Sequence, residues 1–165
     1  MTDHVDHVLE QWGRERPDLD VSPMAVLGRL KRLTRLIDAE LRRTFAAHDL
    51  DPASFDVLAT LRRSGPPHRL TPAELMRSSM VTSGAITQRL DRLQARGLVS
   101  RTPSAEDGRV VHVALTDEGR ALIDRALPDH IETENRLLAA LPKGERDALA
   151  DTLRTVLESL GDTRD

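Results

Sequence analysis

The chain has 165 residues, a length typical of one domain of about 100 to 200 residues and too short for separate substrate and cofactor domains. Apolar residues make up 39% and charged residues 31% of the chain, so the chain has enough apolar residues to form a buried core. No apolar run approaches the roughly 18 residues of a membrane span. The absence of cysteine excludes disulfides, a thiol nucleophile and Cys-built zinc sites. The acidic N-terminus lacks a signal-peptide pattern, so we expect a cytoplasmic protein.

The net charge of −3 is unevenly distributed along the chain. Residues 1–24 contain 2 basic and 6 acidic residues, residues 25–115 contain 15 and 9, and residues 116–165 contain 7 and 12. A basic centre between acidic ends is the pattern expected if the centre approaches phosphate groups. Charge alone leaves open the alternative of an evenly solvated surface.

Three dipeptides predict helix starts in the first half of the chain. Ser22-Pro23, Asp51-Pro52 and Thr71-Pro72 each place an N-cap residue before a proline, whose missing N–H costs nothing in the first helical turn. Glu74 follows Thr71 at capping-box spacing. Apolar spacing predicts a long amphipathic helix from Ser22 to Phe45 and a second from Pro52 to about Arg63.

Two short helices and a hairpin are predicted next. Helices from Pro72 to about Arg77, and from near Thr82 or Ser83 to Ala95, have the arrangement of a helix-turn-helix, with Gly97 as a left-handed stop. The β-rich stretches 98–101 and 110–115, connected through a segment containing Asp107-Gly108, predict a two-stranded hairpin. A helix-turn-helix followed by such a hairpin is a winged helix.

Further apolar stripes predict helices after the hairpin. One begins at Thr116-Asp117-Glu118 and contains Pro128, which either kinks it or divides it in two. A last helix follows Pro142-Lys143-Gly144. The terminal helices contain more apolar residues than the core of a compact winged-helix domain needs. We therefore expect them to form a homodimer interface.

The predicted fold is mainly α with a small two-stranded β wing. It is a winged helix-turn-helix with N- and C-terminal dimerisation helices in one compact chain. We expect residues 1–48 to contribute to dimerisation and the ligand site, residues 49–115 to form the DNA-binding lobe, and residues 116–165 to form the C-terminal dimerisation helices.

Polar residues of the second helix and the wing are the candidate DNA contacts. Gln88 is the candidate for base readout, since an amide can pair bidentately with adenine, whereas Ser83 and Thr87 are expected at phosphates. Asp91 is unfavourable near a polyanion, so we expect it to pair with a neighbouring arginine. Two alternative interpretations remain open. The polar helix face could simply be solvated, and Arg109 at the predicted wing tip could be a surface charge paired with Asp107. The predicted DNA-binding residues are Ser83, Thr87, Gln88, Arg92 and Arg109.

Three strings, GLVSR at 97–101, DGR at 107–109 and VALTDEG at 113–119, resemble the wing signature of MarR-type regulators. The resemblance covers residues 25–160. It implies a homodimer with a winged helix in each subunit that binds a pseudo-palindromic operator in double-stranded DNA. It also implies a repressor released by a small molecule.

The segment around Gln11-Trp12, with the charged run RERPDLD at 14–20, resembles the urate-responsive branch of that family. The resemblance implies an anion site formed by Trp12, Asp56, Arg89 and Arg101. In this interpretation Asp56 pairs with Arg101 in the DNA-competent state, and a bound anion displaces the carboxylate. The expected effector is urate, a related purine or a carboxylate metabolite. Packing of Trp12, and phosphate binding by the arginines, remain alternatives.

Other classes of function have little support in the sequence. It has no dinucleotide-binding, Walker A, HExxH or GxSxG motif, so we expect no enzyme activity. The six histidines lack metal-ligand spacing, so no metal site or cofactor is expected. A winged helix used only for protein interaction or dimerisation is the alternative function, although a pure interaction module would not need the basic centre.

Overall fold

A computed structural model describes residues 2–79, 86–104 and 110–163 of the chain. This part of the chain contains helices α1 (His4–Glu15), α2 (Ser22–Ala46), α3 (Pro52–Arg63), α4 (Pro72–Ser78), α5 (Ile86–Ala95), α6 (Asp117–Leu137) and α7 (Lys143–Ser159). It also contains strands β1 (Arg69–Leu70), β2 (Val99–Pro103) and β3 (Val111–Leu115). The mainly helical winged-helix prediction is confirmed. The predicted start of α5 near Thr82 or Ser83 lies outside the described residues.

Two of the three predicted caps are confirmed. The Asp51 carboxylate accepts a hydrogen bond from the Ser54 N–H at 2.7 Å. Thr71 and Glu74 form the capping box, with the Thr71 N–H donating to Glu74 at 2.7 Å. The Ser22 prediction is wrong. Val21 is the N-cap of α2, because the N–H and hydroxyl of Ser22 are both bound to the carboxylate of Asp20.

The sheet has one strand more than the predicted hairpin. Strands β2 and β3 pair antiparallel, with Arg101 opposite Val113. Strand β1 pairs with the other edge of β3, which gives the order β1-β3-β2. A strand of two residues is too short to show the alternating pattern by which strands are recognised, so only the pairing reveals it.

The core lies in the winged-helix lobe. Helix α3 packs against α6, α4, α5 and β3, and Phe45 at the end of α2 joins the same cluster. Each fully buried Leu or Val side chain stabilises the fold by about 1.5 to 3 kcal/mol relative to an exposed one. The fully buried apolar residues with the largest side chains are Leu58, Leu61, Leu75, Leu90, Leu93, Ile123, Val57, Val99 and Val113.

The junction between α6 and the lobe depends on two small residues. The Thr116 hydroxyl caps α6 by accepting from the Gly119 N–H at 3.0 Å, and it donates to the Gly97 carbonyl at 2.6 Å. Gly119 packs so closely on the Leu98 carbonyl that a Cβ would collide with it. Pro128 lies inside α6, so it does not divide the helix.

The first and last helices are attached differently. Helix α1 packs on α2, with Val5 buried against Gly28 and Arg29 paired with both Asp3 and Asp6. Helix α7 contains no buried residue.

Candidate nucleic-acid interface

Helix α5 presents a polar face because its apolar face is fixed in the core. Leu90 and Leu93 are fully buried, and Ile86 packs against the same cluster. The predicted DNA contacts Thr87, Gln88 and Arg92 are exposed on this helix. Ser83, which was predicted with them, lies outside the described residues. The three described side chains are therefore accessible to an external partner.

The base of the wing is fastened to α5 by Arg101. Its guanidinium donates to the Asp91 carboxylate at 2.7 Å and to the Thr87 carbonyl at 3.2 Å. Arg101 thus bridges two successive turns of the helix from strand β2. The prediction that Asp91 pairs with a neighbouring arginine is confirmed. Arg109, predicted at the wing tip, lies outside the described residues.

The four predicted ligand residues come from four different elements. Asp56 is buried on α3, Arg89 is half-buried on α5, Arg101 is half-buried at the start of the wing, and Trp12 is 41% exposed on α1. Within the described part of the chain, no ion pair joins Asp56 to Arg101. That expected pair is replaced by Arg101–Asp91, because the hairpin register places Arg101 beside α5. The described ion pairs do not include Arg89.

Helix α4, the first helix of the helix-turn-helix, has side-chain hydrogen bonds at both of its ends. The pKa of the Glu74 carboxyl is lowered, chiefly because it accepts the Thr71 N–H and then because it accepts the Thr71 hydroxyl. At the other end of α4, a guanidinium nitrogen of Arg63 donates to the Ser78 carbonyl. The Arg63 bond ties the end of α4 to α3.

A recess between α1 and α2 was not predicted from the sequence. It has a volume of about 480 Å³ and is largely apolar, with two cationic side chains. Trp12 is not part of its lining. The spacing of Val5 and Val8, together with Gly28, is the sequence signal that could have revealed it. The lining residues are His4, Val5, Val8, Pro23, Met24, Leu27, Gly28, Lys31 and Arg32.

The described residues provide neither a metal-binding cluster nor a membrane-spanning helix. In that part of the chain, no group of three or more His, Asp or Glu side chains is arranged to hold a metal ion. None of its helices is both long and apolar enough to cross a membrane.

Comparison with known proteins finds transcription regulators among the relatives of this chain. The model of the MarR family matches residues 48–110. The transcriptional regulator PecS of Dickeya dadantii is 41% identical over 160 residues, which cover 97% of this chain and 96% of PecS. The transcriptional repressor NicR of Pseudomonas putida is 32% identical over 86% of this chain and 90% of NicR.

Solved structures give the same result. A mutant of MarR from E. coli complexed with operator DNA matches with a TM-score of 0.71 and 30% identity, covering 83% of this chain and 95% of that chain. Bordetella bronchiseptica BpsR matches with a TM-score of 0.71 and 27% identity, covering 79% of this chain and 91% of that chain. The DNA binding of BpsR is regulated by 6-hydroxynicotinic acid.

Proposed function

Because this chain belongs to the MarR family of transcriptional regulators, we propose that it is a homodimeric, sequence-specific repressor that a small anion releases from double-stranded DNA. The proposed function requires no catalysis. It consists of two binding events, one to an operator and one to an effector. The observation that carries the proposal is the exposed polar face of α5 held beside the wing.

The DNA-binding role rests on the residues of that face. An α-helix fits the major groove, and the Gln88 amide is the group able to read an adenine edge. Thr87 and Arg92 are suited to phosphate oxygens, which fix the register of the helix on the duplex. The remaining proposed contacts are Ser83, predicted near the start of the helix, and Arg109, predicted at the wing tip, and both lie outside the described residues.

Homodimerisation is supported by apolar side chains that the single chain leaves exposed. Large patches of this kind mark interaction surfaces. Exposed apolar side chains of this kind lie on α2, α6 and α7, which supports the proposed role of residues 1–48 and 116–165 in dimerisation. Leu160 at the C-cap of α7 is also exposed. The exposed large apolar residues within these helices are Met24, Val26, Leu27, Leu33, Leu36, Leu127, Ile131, Leu149, Val156 and Leu157.

The anion response is proposed at Trp12, Asp56, Arg89 and Arg101. Two of these residues, Arg89 on α5 and Arg101 on β2, belong to the elements that are proposed to contact DNA. A guanidinium binds carboxylate or urate-like oxygens in a planar, bidentate geometry. An anion bound by Arg101 would therefore act directly on the contact between wing and α5. Regulation of BpsR by 6-hydroxynicotinic acid supports an anionic or aromatic effector class.

The test is fluorescence anisotropy with labelled duplex from upstream of the chain's own gene, at several salt concentrations, with and without urate. We expect salt-sensitive binding that urate weakens. Arg92→Ala should weaken binding and reduce the salt slope by about one, as for the loss of one phosphate contact. Arg154→Ala, an exposed arginine on α7, is the control and should leave the slope unchanged.

Each outcome has a distinct meaning. DNA binding that urate does not weaken would support the repressor function and contradict urate as its effector. If neither this duplex nor any duplex selected from a random pool binds, the chain is a winged-helix interaction or dimerisation module instead.

A further inference from the structure

A short elbow, residues 47–51, joins the terminal helix α2 to the first helix of the winged-helix lobe, α3. The Asp49 N–H donates to the Ala46 carbonyl at 3.1 Å. The Leu50 N–H donates to the Phe45 carbonyl at 2.9 Å. Asp49 has a φ of 55°, in the left-handed region, where aspartate is one of the better tolerated residues. The elbow is therefore a tight turn with a specific backbone conformation.

Two other elements contact this elbow. Nε2 of His48 lies 2.7 Å from Oδ2 of Asp129 on α6. A guanidinium nitrogen of Arg96, the residue that follows the end of α5, donates to the Asp49 carbonyl at 2.7 Å. Two successive elbow residues are thus held by α6 and by the end of the helix that is proposed to read DNA.

Arg96 continues the spacing of two proposed DNA contacts on α5. Gln88, Arg92 and Arg96 are four residues apart, and this spacing places them along one side of a helix. An exposed arginine at this position is most simply interpreted as another phosphate contact. The structure instead directs its guanidinium to the backbone of the elbow. The two roles make different demands on the same side chain.

The elbow matters for DNA binding because the proposed repressor is a dimer. Each subunit places one α5 helix in a major groove, and half-sites on one face of the duplex lie about 34 to 36 Å apart, or one helical turn. The terminal helices hold the two subunits together. The angle between each lobe and its terminal helices therefore sets the distance between the two α5 helices. The elbow and the continuous helix α6 are the two connections that fix this angle.

We propose that Arg96 is a positioning residue, which fastens the end of α5 to the elbow and so determines the half-site spacing that the dimer accepts. This inference rests on the proposed function and adds a determinant of its DNA specificity. The Arg96 hydrogen bond connects the C-terminal end of α5 directly to the segment that leads back into α2. Without it, the lobe adopts a wider range of angles to the terminal helices.

Duplexes with altered spacing test this role. The full-length parent first selects a duplex from a random pool, and two base pairs are then inserted at, or deleted from, its centre. This change rotates one half-site by about 70° around the duplex relative to the other. The parent should lose at least about 30-fold in affinity. R96Q should bind the parental spacing about 3- to 10-fold more weakly, and its penalty for altered spacing should shrink at least about threefold.

Salt dependence separates positioning from phosphate contact. Loss of one phosphate contact reduces the slope of log affinity against log salt by about one. R96Q should keep the parental slope to within about 0.3, because its guanidinium is used at the elbow. R92Q is the matched control, since it makes the same charge change at an exposed arginine one turn earlier. R92Q should reduce the slope by about one and leave the spacing preference unchanged.

A second variant tests the elbow through α6. D129A removes the partner of His48 at an exposed position, where the side chain is 56% exposed. It should also reduce the penalty for altered spacing, by at least about twofold. D129A removes a negative charge, whereas R96Q removes a positive one. A relaxed spacing preference in both variants therefore cannot arise from attraction between the protein and the phosphates.

The contrary results are specific. If R96Q lowers the slope by about one and keeps the parental spacing preference, Arg96 is a phosphate contact and has no positioning role. A spacing preference that relaxes in R96Q but not in D129A would contradict the elbow as its origin. Far-UV circular dichroism and sedimentation equilibrium establish that each variant is folded and dimeric. A parent that binds no duplex would contradict the proposed function itself, whereas an R96Q protein identical to a parent that binds contradicts the positioning role alone.

Discussion

The winged-helix lobe and the terminal helices use their apolar residues in opposite ways. Leu58, Leu61 and Leu75 of the lobe are completely buried, and the core cluster around them is built from seven elements of one chain, namely α2, α3, α4, α5, β2, β3 and α6. Helix α7 also has an apolar stripe, but its Leu157 is 49% exposed, and Leu160 at its C-cap is 78% exposed. Hydrophobic burial is therefore completed within the lobe and left incomplete at the ends of the chain.

This difference indicates that the lobe and helix α7 have different roles, the lobe in holding α5 and the wing, and α7 in association with a second chain. The lobe has a core sufficient to hold α5 and the wing in a fixed relation, which readout of a groove requires. Helix α7 gains little stability from its own chain, because it contains no buried residue, so its folding depends on a second surface, which the proposed dimer supplies. Four predictions test this contrast, from the largest expected effect to the smallest.

The first prediction concerns the lobe core. Leu61→Ala should lower the free energy of unfolding by about 2 to 5 kcal/mol, because it creates a cavity among side chains that cannot collapse around it. Urea unfolding followed by circular dichroism measures the change. Leu160→Ala, at the C-cap of α7, should cost less than about 0.5 kcal/mol in the free energy of monomer unfolding. Equal costs at both positions would show that α7 is packed within its own chain.

The second prediction compares two glycines. Gly119→Ala should destabilise the protein by about 1 to 3 kcal/mol, because the new methyl group meets the Leu98 backbone, which cannot move cheaply. Gly144→Ala, in the first turn of α7, meets no atom within 4 Å and should be neutral or stabilise by up to about 1 kcal/mol. Thermal unfolding of the pair decides the matter, and an unaffected Gly119→Ala protein would show that α6 is not held tightly against the lobe.

The third prediction concerns the association of two chains. Leu157→Asp on the apolar stripe of α7 should raise the dimer dissociation constant at least about tenfold, or about 1.4 kcal/mol, because it buries an unpaired charge in the proposed interface. Sedimentation equilibrium measures the constant. Thr155→Asp, on the polar side of the same helix, adds the same charge and should leave the dimer intact. A Leu157→Asp protein that dimerises like the parent would place the interface elsewhere.

The fourth prediction is a pH dependence at the attachment of α1. The pKa of Asp3 is lowered chiefly by the Asp6 N–H, and that of Asp6 chiefly by the Asp3 N–H, with Arg29 contributing to both. A lowered pKa in the folded state means that the contact is fully formed above the ordinary value of about 3.9 and is lost as the pH falls through the lowered values. The effect should be small, since these groups are exposed.

Fluorescence of Trp12, the one tryptophan in the chain, can follow this step on α1. Acid titration should change it below about pH 4, before the lobe unfolds. In Arg29→Gln the contact is already weakened, so the acid-induced change should be smaller. A titration identical in both proteins would show that the carboxylates do not hold α1 on α2.

The residues that began and ended most elements could be identified without the fold. Proline after Asp51 and Thr71 marks a helix start through constraints that act within a few residues, and Gly97, with φ of 69°, ends α5 for the same local reason. The same is true of the exposed residues Thr87, Gln88 and Arg92, which follow from the periodicity of α5 once its apolar face is recognised. Ser22 misled the prediction because Asp20, two residues earlier, competed for its polar groups.

Pairings between distant segments were decided by the tertiary structure alone. Strand β1 exists because Leu70 meets Val113, and two residues have no pattern of their own. Arg101 was expected to pair with Asp56, yet hairpin register and the packing of Leu90 and Leu93 bring Asp91 to it instead. Local sequence determines backbone conformation over a few residues, whereas the partner of a long charged side chain depends on which of several nearby carboxylates the packed core places within its reach.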